Sequence, residues 1–276
     1  MSLSRNTLLA TLGAEPVIEL LSPFVQDDRI RRFESAVSAR LENVWLVIEN
    51  LYDPHNGAAL VRTAEAMGLL NVVFIQSEAV KVSRYGSGRH LSHKITIGAE
   101  RWMRVREFDA FEKAQEFFAG LRLTHLAAVA PQTDVGNDHV ALSRAPVALE
   151  ALVVPPACAL WFGNERNGLT QQAVDLASAS FTIPMWGLTQ SLNLSVSAGI
   201  ALTHVCARVR QRLGATGDLS PQDRRLWLAR YLLESVDRPE SLLRETMSRL
   251  GLPWPSHFVN STEAPAPAPA PVEGNP

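Results

Sequence analysis

Hydrophobic and polar positions follow two rhythms along this chain. Between about Asn43 and Pro184, short apolar runs recur: VWLVIE at 44–49, NVVFI at 71–75, THLAAVA at 124–130, CALWFG at 158–163 and FTIP at 181–184. Runs of this length, separated by stretches with helical spacing, predict an α/β domain with a parallel sheet. The helical stretches are Asn56 to Gly68, Asp109 to Leu121 and Thr170 to Ala179, the first closing on a glycine where helices commonly stop. From Leu192 the rhythm becomes Leu194, Ala198, Ala201, Val205, Val209 and Leu213, which predicts one long helix ending at Gly214. Ser220 to Ser235 opens on Ser-Pro, a helix-start signal, and Glu240 to Leu250 reads as a further helix stopped by LPWP. At the other end, ELL at 19–21 and RIRRFESAVSARL at 29–41 predict one or two short helices, with Ile30, Phe33, Val37 and Leu41 on one face.

These patterns divide the chain into a helical extension over 1–42, an α/β domain over 43–213 and a second helical extension over 214–260. Residues 261–276, with the repeat EAPAPAPAPVEGNP, predict a disordered Ala-Pro tail that cannot bury a core. With 46% hydrophobic residues in 276, the remainder has ample material for one large or two modest cores. Leu176 to Ala207 carries no Asp, Glu, Lys or Arg, yet its Ser178, Ser180, Thr182, Gln190, Ser191 and Asn193 make it a buried segment rather than a membrane span. Glu15 and Glu19 interrupt the Leu-rich start, so no secretory signal is visible and a cytoplasmic protein is expected. Cys158 and Cys206 lie far apart, outside any zinc-ligand spacing; both are expected in the core, and no metal is expected.

Net charge is −2, which by itself argues against a nucleic-acid partner. The distribution changes that picture. Seven basic residues face one acidic between 81 and 106, six face two between 204 and 230, and four face one between 29 and 40. Arginine outnumbers lysine 23 to 3, and a guanidinium fork grips phosphate bidentately where an ammonium acts as a point charge. Solvated faces and an RNA-gripping surface both fit this distribution.

No GxxxxGK[ST] loop, GxGxxG strand–helix turn, HExxH or GxSxG occurs, which removes the main support for kinase, GTPase, dinucleotide-binding and common hydrolase readings. Polar residues instead concentrate just after predicted strands, where open α/β sheets bind ligands. The first cluster is Glu49-Asn50-Leu51-Tyr52-Asp53-Pro54-His55-Asn56-Gly57, leading into a helix with Arg62 and Thr63. The second runs from Phe162 to Thr170, and the third joins Ile183-Pro184-Met185 to Ser191-Leu192-Asn193-Leu194-Ser195-Val196. Taken singly, Asn56 and Ser191 read as helix caps and Gly163 and Gly168 as turn glycines.

Taken together, and in order, the clusters resemble the three signature motifs of the SpoU group of the SPOUT superfamily, RNA ribose 2'-O-methyltransferases. Asn56, Gly57, Arg62, Thr63 and Gly68 are similar to the first motif, and Gly163, Glu165 and Gly168 to the second. Ile183 to Met185 with Ser191 to Val196 are similar to the third. The flanks (Arg32 and Arg40 ahead of the first motif, Arg208, Arg210 and Arg212 closing the long helix, and GLPWP at 251–255) resemble the TrmH-type branch, which methylates guanosine riboses in tRNA.

The resemblance implies a parallel-sheet domain ending in a deep trefoil knot, flanked by helices, that works as a homodimer. It implies S-adenosylmethionine held by knot-loop main chain, which suits Ala130, Gly163, Ile183 and Leu192. It further implies Arg62 as the catalytic residue, with Asn56 and Asn193 positioning it and the ribose, Glu165 orienting Arg62 or reaching the partner subunit, and Ser191 holding the loop. Because a guanidinium stays protonated, Arg62 suits electrostatic stabilisation of an alkoxide better than proton abstraction. Arg32, Arg40, Arg208, Arg210 and Arg212 are the expected grips on tRNA. Ribosomal RNA is the alternative substrate, and an inactive RNA-binding protein of the same fold is the alternative from another class.

Overall fold

A computed structural model describes residues 3–76, 98–131 and 140–258 of the chain. They divide into two compact units, one built from residues up to Arg40 with those from Thr216 onward, the other from Leu41–Ala215.

The larger unit is an α/β sandwich. Its strands are β1 (Leu41–Glu49), β2 (Leu69–Ile75), β3 (Arg104–Phe108), β4 (Thr124–Ala128), β5 (Val147–Ala148), β6 (Cys158–Phe162) and β7 (Ala179–Thr182). They pair in the order β3-β2-β1-β6-β4-β7-β5, all parallel. The central strand β1 is almost wholly buried because both faces are covered, and its alternate residues sort to the two sides. Val44, Leu46 and Ile48 join the apolar cluster containing Leu60, Val61, Ala198, Leu202 and Val205. Trp45 and Val47 join the opposite one with Phe111, Phe118, Trp161 and Val174. The helices over these faces are α4 (Pro54–Ala66), α5 (Phe111–Ala119), α6 (Gln171–Leu176) and α7 (Leu194–Leu213).

Helices α4 and α7 run in parallel. Asn193 meets Asn56 at their starts, Gly199 lies against Thr63 midway, and Thr203 and Arg210 reach Met67 at the end of α4. Their amino termini therefore sit side by side at the carboxyl end of the sheet. Gly214 terminates α7 in the left-handed region, with φ of 61°.

The smaller unit contains α1 (Arg5–Leu12), α2 (Ala14–Leu21) and α3 (Asp27–Ser38) together with α8 (Pro221–Ser235) and α9 (Pro239–Arg249). Leu8, Val17, Leu21, Leu228, Leu232, Leu233 and Leu243 form its core. The two ends of the chain thus share one core, where the sequence suggests two separate extensions. The amino-terminal part holds three α-helices rather than one or two, and Leu41 opens β1 instead of completing the face of α3.

Two strands have no counterpart among the expected runs. β5 is two residues long, and β3 is an edge strand, RVREF, whose charged residues hide its alternation. Arg104 in β3 is 4% exposed and forms a buried ion pair of 2.6 Å with Glu42, while also donating to Asn71 Oδ1 at 3.1 Å. Both cysteines are buried, and burial pushes the Cys158 thiol up to about 12. The Ala-Pro tail and most of the basic stretch 81–106 lie outside the described residues.

Candidate active site

The strand order reverses direction between β1 and β6: β2 and β3 extend to one side of β1, while β4, β7 and β5 extend beyond β6. The crevice outside the carboxyl ends at such a switch point is where open α/β sheets bind ligands. Here the loops leaving β1 and β6 are tied together across it.

Glu49, the last residue of β1, is buried and accepts hydrogen bonds from the Thr170 N–H at 2.8 Å and hydroxyl at 2.6 Å. Burial raises its pKa, and the Thr170 bonds oppose that shift. Asn50 follows in the left-handed region, φ 53°, and its carbonyl accepts from Asn164 Nδ2 at 2.6 Å. Asn164 is 7% exposed, and its Oδ1 receives the N–H groups of Arg166 at 2.8 Å and Asn167 at 3.3 Å. Main-chain bonds between Asn164 and Gly168, 3.0 and 2.8 Å, close the loop, and Gly168 takes φ of 68°. Gly163 is required by close approach: a Cβ there would lie 2.0 Å from the Gly168 carbonyl carbon.

This framework presents Glu165 to the start of α4. Its Oε1 accepts from Asn56 Nδ2 at 2.8 Å and its Oε2 from the Tyr52 N–H at 3.1 Å. Asn56 Oδ1 in turn accepts from Asn193 Nδ2 at 3.1 Å. Asn193 caps α7, its Oδ1 receiving Ser195 N–H at 2.8 Å, Val196 N–H at 3.4 Å and the Ser195 hydroxyl at 2.6 Å. One hydrogen-bonded chain, Glu165 to Asn56 to Asn193, therefore joins the three sequence motifs. It lies where two helix amino termini converge, a setting that favours negative charge.

The helix caps are Asp53 and Asn193, not Asn56 and Ser191. Glu165 holds Asn56 rather than Arg62. Arg62 lies six residues into α4 past Asn56, exposed and without a hydrogen bond or ion pair to any described residue, so its donors are unspent. Ser191 is likewise exposed and makes no hydrogen bond among the described residues.

Ala130, Gly163 and Ile183 follow β4, β6 and β7, three neighbouring strands, so their main chains emerge together along one stretch of the carboxyl edge. Ala130 is exposed, while Gly163, Ile183 and Leu192 are partly exposed. The main-chain groups of Ala130 and Ile183 make no hydrogen bond among the described residues. These uncharged surfaces with unspent backbone groups suit an adenine ring and its apolar walls. No three His, Cys, Asp or Glu among the described residues could hold a metal ion, and no described helix is long and apolar enough to cross a membrane.

The expected RNA grips separate into two groups. Arg32 and Arg208 are exposed. Arg40 is 2% exposed, and its Nε donates to Tyr231 Oη at 2.7 Å, so it packs the helical unit and is not on an RNA-facing surface. Arg210 donates to the Met67 carbonyl at 2.8 Å, and Arg212 to the Val154 and Pro155 carbonyls at 2.6 and 3.0 Å; both brace α7.

Sequence patterns gave no role to Asn164, Arg166, Tyr52 or Glu49, although all four knit the crevice. The signal was an Asn in each of the two loops, next to a strand end, where side-chain amides replace missing main-chain partners.

Fold and site define an α/β protein with a polar crevice at its switch point, and residues 43–203 match the SpoU rRNA Methylase family. The chain belongs to that family. A tRNA (guanosine(18)-2'-O)-methyltransferase of Thermus thermophilus is 30% identical over 187 residues, covering 68% of this chain and 84% of the relative. The one from Aquifex aeolicus is 27% identical over 217 residues, covering 77% and 92%. A 23S rRNA (guanosine-2'-O-)-methyltransferase of Nitrosomonas europaea is 32% identical, over 62% of this chain and 58% of its own length. Among solved structures, a TrmH/SpoU tRNA modifying enzyme of A. aeolicus superposes with a TM-score of 0.60 at 24% identity, over 76% of this chain and 98% of its own.

Proposed function

We propose that this SpoU-family protein transfers a methyl group from S-adenosylmethionine to a ribose 2'-hydroxyl of tRNA, with the D-loop guanosine as target. The observation that carries this reading is the Glu165–Asn56–Asn193 chain at the start of α4, the helix on which Arg62 stands exposed with no partner among the described residues. The named activity of the T. thermophilus and A. aeolicus relatives, matched over most of their length, supports tRNA as the substrate.

S-adenosylmethionine supplies an electrophilic methyl group on a sulfonium when bound; Ala130, Gly163, Ile183 and Leu192 would hold it. The protein's own contribution is to the nucleophile. A ribose hydroxyl attacks poorly at neutral pH, so developing alkoxide charge must be stabilised and aligned. Arg62 keeps its proton and offers a fork of donors to that oxygen or a neighbouring phosphate. Asn56 and Asn193, fixed by Glu165 and by the α7 cap, orient the ribose, and two converging helix dipoles add to the positive field. Ser191 would order the loop once substrate is bound.

The family fold supports two further readings: that the carboxyl-terminal part of the sheet domain is knotted, and that two copies share each site. Val196 and Ile200 on α7 are 49% and 40% exposed, and Trp186 and Leu188 in the preceding loop are 95% and 103% exposed. Exposed apolar side chains so close in sequence favour burial by a second copy. A dimer in sedimentation at micromolar concentration is the expected result. We place its work in the cytoplasm, where tRNA is modified.

Nucleoside mass spectrometry of tRNA and rRNA from cells with and without the protein tests the activity, and methylation of tRNA transcripts against rRNA fragments tests the substrate. The Nitrosomonas relative motivates the second arm, because its name assigns the same chemistry to ribosomal RNA. Transfer to rRNA fragments and to no tRNA transcript would overturn the tRNA assignment while leaving the chemistry standing.

A further inference from the structure

We propose that Arg166, held on the Tyr52 ring, is a prebuilt phosphate grip for the RNA strand entering this site. The inference rests on the RNA reading above and adds a binding residue at a position between the defining residues of the second motif, Glu165 and Gly168. The Arg166 guanidinium carbon lies 4.2 Å from the Tyr52 ring centroid, and its Nη2 donates to Tyr52 Oη at 3.0 Å. The main chain at Arg166 is fixed as well, through its N–H bond of 2.8 Å to Asn164 Oδ1. An exposed arginine is thus anchored at both ends, whereas long cationic side chains on surfaces ordinarily lose much of their binding energy to ordering.

The anchoring leaves its charge unspent. The adjacent carboxylate, Glu165, directs its oxygens to Asn56 and to the Tyr52 N–H, and Arg166 has no ion pair among the described residues. One of five N–H donors is used on Tyr52, so the fork keeps donors for a bidentate phosphate contact. Tyr52 links the grip to the reacting centre: its ring carries Arg166, and its N–H meets the carboxylate that holds Asn56. A phosphate on Arg166 would therefore register the strand against Asn56 and Asn193.

The test compares wild type, Arg166→Ala, Arg166→Gln and Tyr52→Ala in binding a fluorescent tRNA transcript across a salt series, alongside methyl transfer. Loss of one phosphate contact should weaken binding about tenfold and make the log–log salt dependence shallower by about one unit. Arg166→Gln should match Arg166→Ala, and both should raise KM for tRNA more than they lower kcat. Tyr52→Ala should weaken binding while keeping most of the salt slope, because the charge stays but its anchor is lost. Unchanged affinity and slope in both Arg166 variants would overturn the proposal. So would weaker binding at an unchanged slope, which marks base stacking, or a fall in kcat with KM unchanged, which marks a role in positioning Glu165 alone. If wild type binds tRNA with the expected slope change in the variants yet methylates no RNA, the activity reading fails and the grip stands.

Discussion

Substituting Gly163 tests the geometry of the crevice most directly. An ideal Cβ there falls 2.0 Å from the Gly168 carbonyl carbon, 2.1 Å from the Leu169 nitrogen and 2.2 Å from the Gly168 oxygen. Non-bonded carbons settle at about 3.5–4.0 Å, so the end of β6 and the returning loop must part by roughly 1.5 Å. No side chain can yield, because all three atoms are main chain. The loop is closed by the paired Asn164–Gly168 bonds and fastened to Asn50, so the displacement passes to Glu165. Overpacking that side chains can absorb costs about 1–3 kcal/mol, and a main-chain overlap belongs at the upper end, about 3 kcal/mol. For activity, a misplacement of about 1 Å near a reacting centre costs on the order of 10²-fold. Gly163→Ala should therefore lower the urea midpoint and reduce single-turnover methyl transfer by about that factor. A variant with the wild-type midpoint and a rate within a few-fold of wild type would refute the close approach and the role given to this loop.

Arg62→Ala should abolish transfer while changing stability by no more than about 0.5 kcal/mol, since the side chain is exposed and has no partner among the described residues; single-turnover rates near wild type would remove it from the site. Glu49 has a raised pKa through burial, so its contribution to stability is present below the ordinary carboxylate range and is lost as pH rises through the raised folded value. Glu49→Gln can still accept from the Thr170 N–H and donate to its hydroxyl, so urea unfolding above neutral pH should find it at least as stable as wild type, with a flatter pH dependence in the acid range. Arg212→Ala removes the donor from two carbonyls that water can partly reach and should cost about 0.5–1.5 kcal/mol in urea unfolding, whereas Arg208→Ala should leave the midpoint unchanged and weaken tRNA binding in a salt-dependent manner.

The central elements were legible because burial on both faces forces long apolar runs, as in β1 and β2, and because α7 repeats its apolar positions over five turns. Legibility failed where another interaction replaces hydrophobic burial. β3 spends a buried position on Arg104, paired with Glu42 and Asn71, and a charged residue at a core position erases the alternation that marks a strand. α6 is shorter than the pattern suggested at both ends: Thr170 stands outside it as the cap, held by Glu49 from another strand, and the chain turns extended at Ala177 to enter β7 at Ala179, pairings no local window contains. The site divides in the same way. Asn56, Glu165 and Asn193 were legible through ordered motifs. Asn164 was not, since its value lies in reaching Asn50, 114 positions away.

Charge shows most clearly the difference between what a sequence counts and what a structure exposes. Local excesses of arginine pointed to an RNA surface, but a guanidinium is also the side chain best able to satisfy several buried acceptors at once. Arg40 serves Tyr231 in the helical core, Arg104 serves Glu42 in the sheet, and Arg210 and Arg212 serve free carbonyls at helix and loop ends. Arg225 pairs with Glu15, and Arg230 bonds Asn6 Oδ1 at 3.0 Å. Each such partner withdraws donors that a phosphate would need, so a local charge excess overstates the surface available to RNA. Among the described residues a smaller set keeps unspent donors: Arg62 on α4 and Arg166 on its tyrosine, and Arg208 far along α7 from its Asn193 cap. A small set of cations with free donors among the described residues makes register weigh more than total attraction there, because each contact then fixes where the strand lies as well as how tightly it is held.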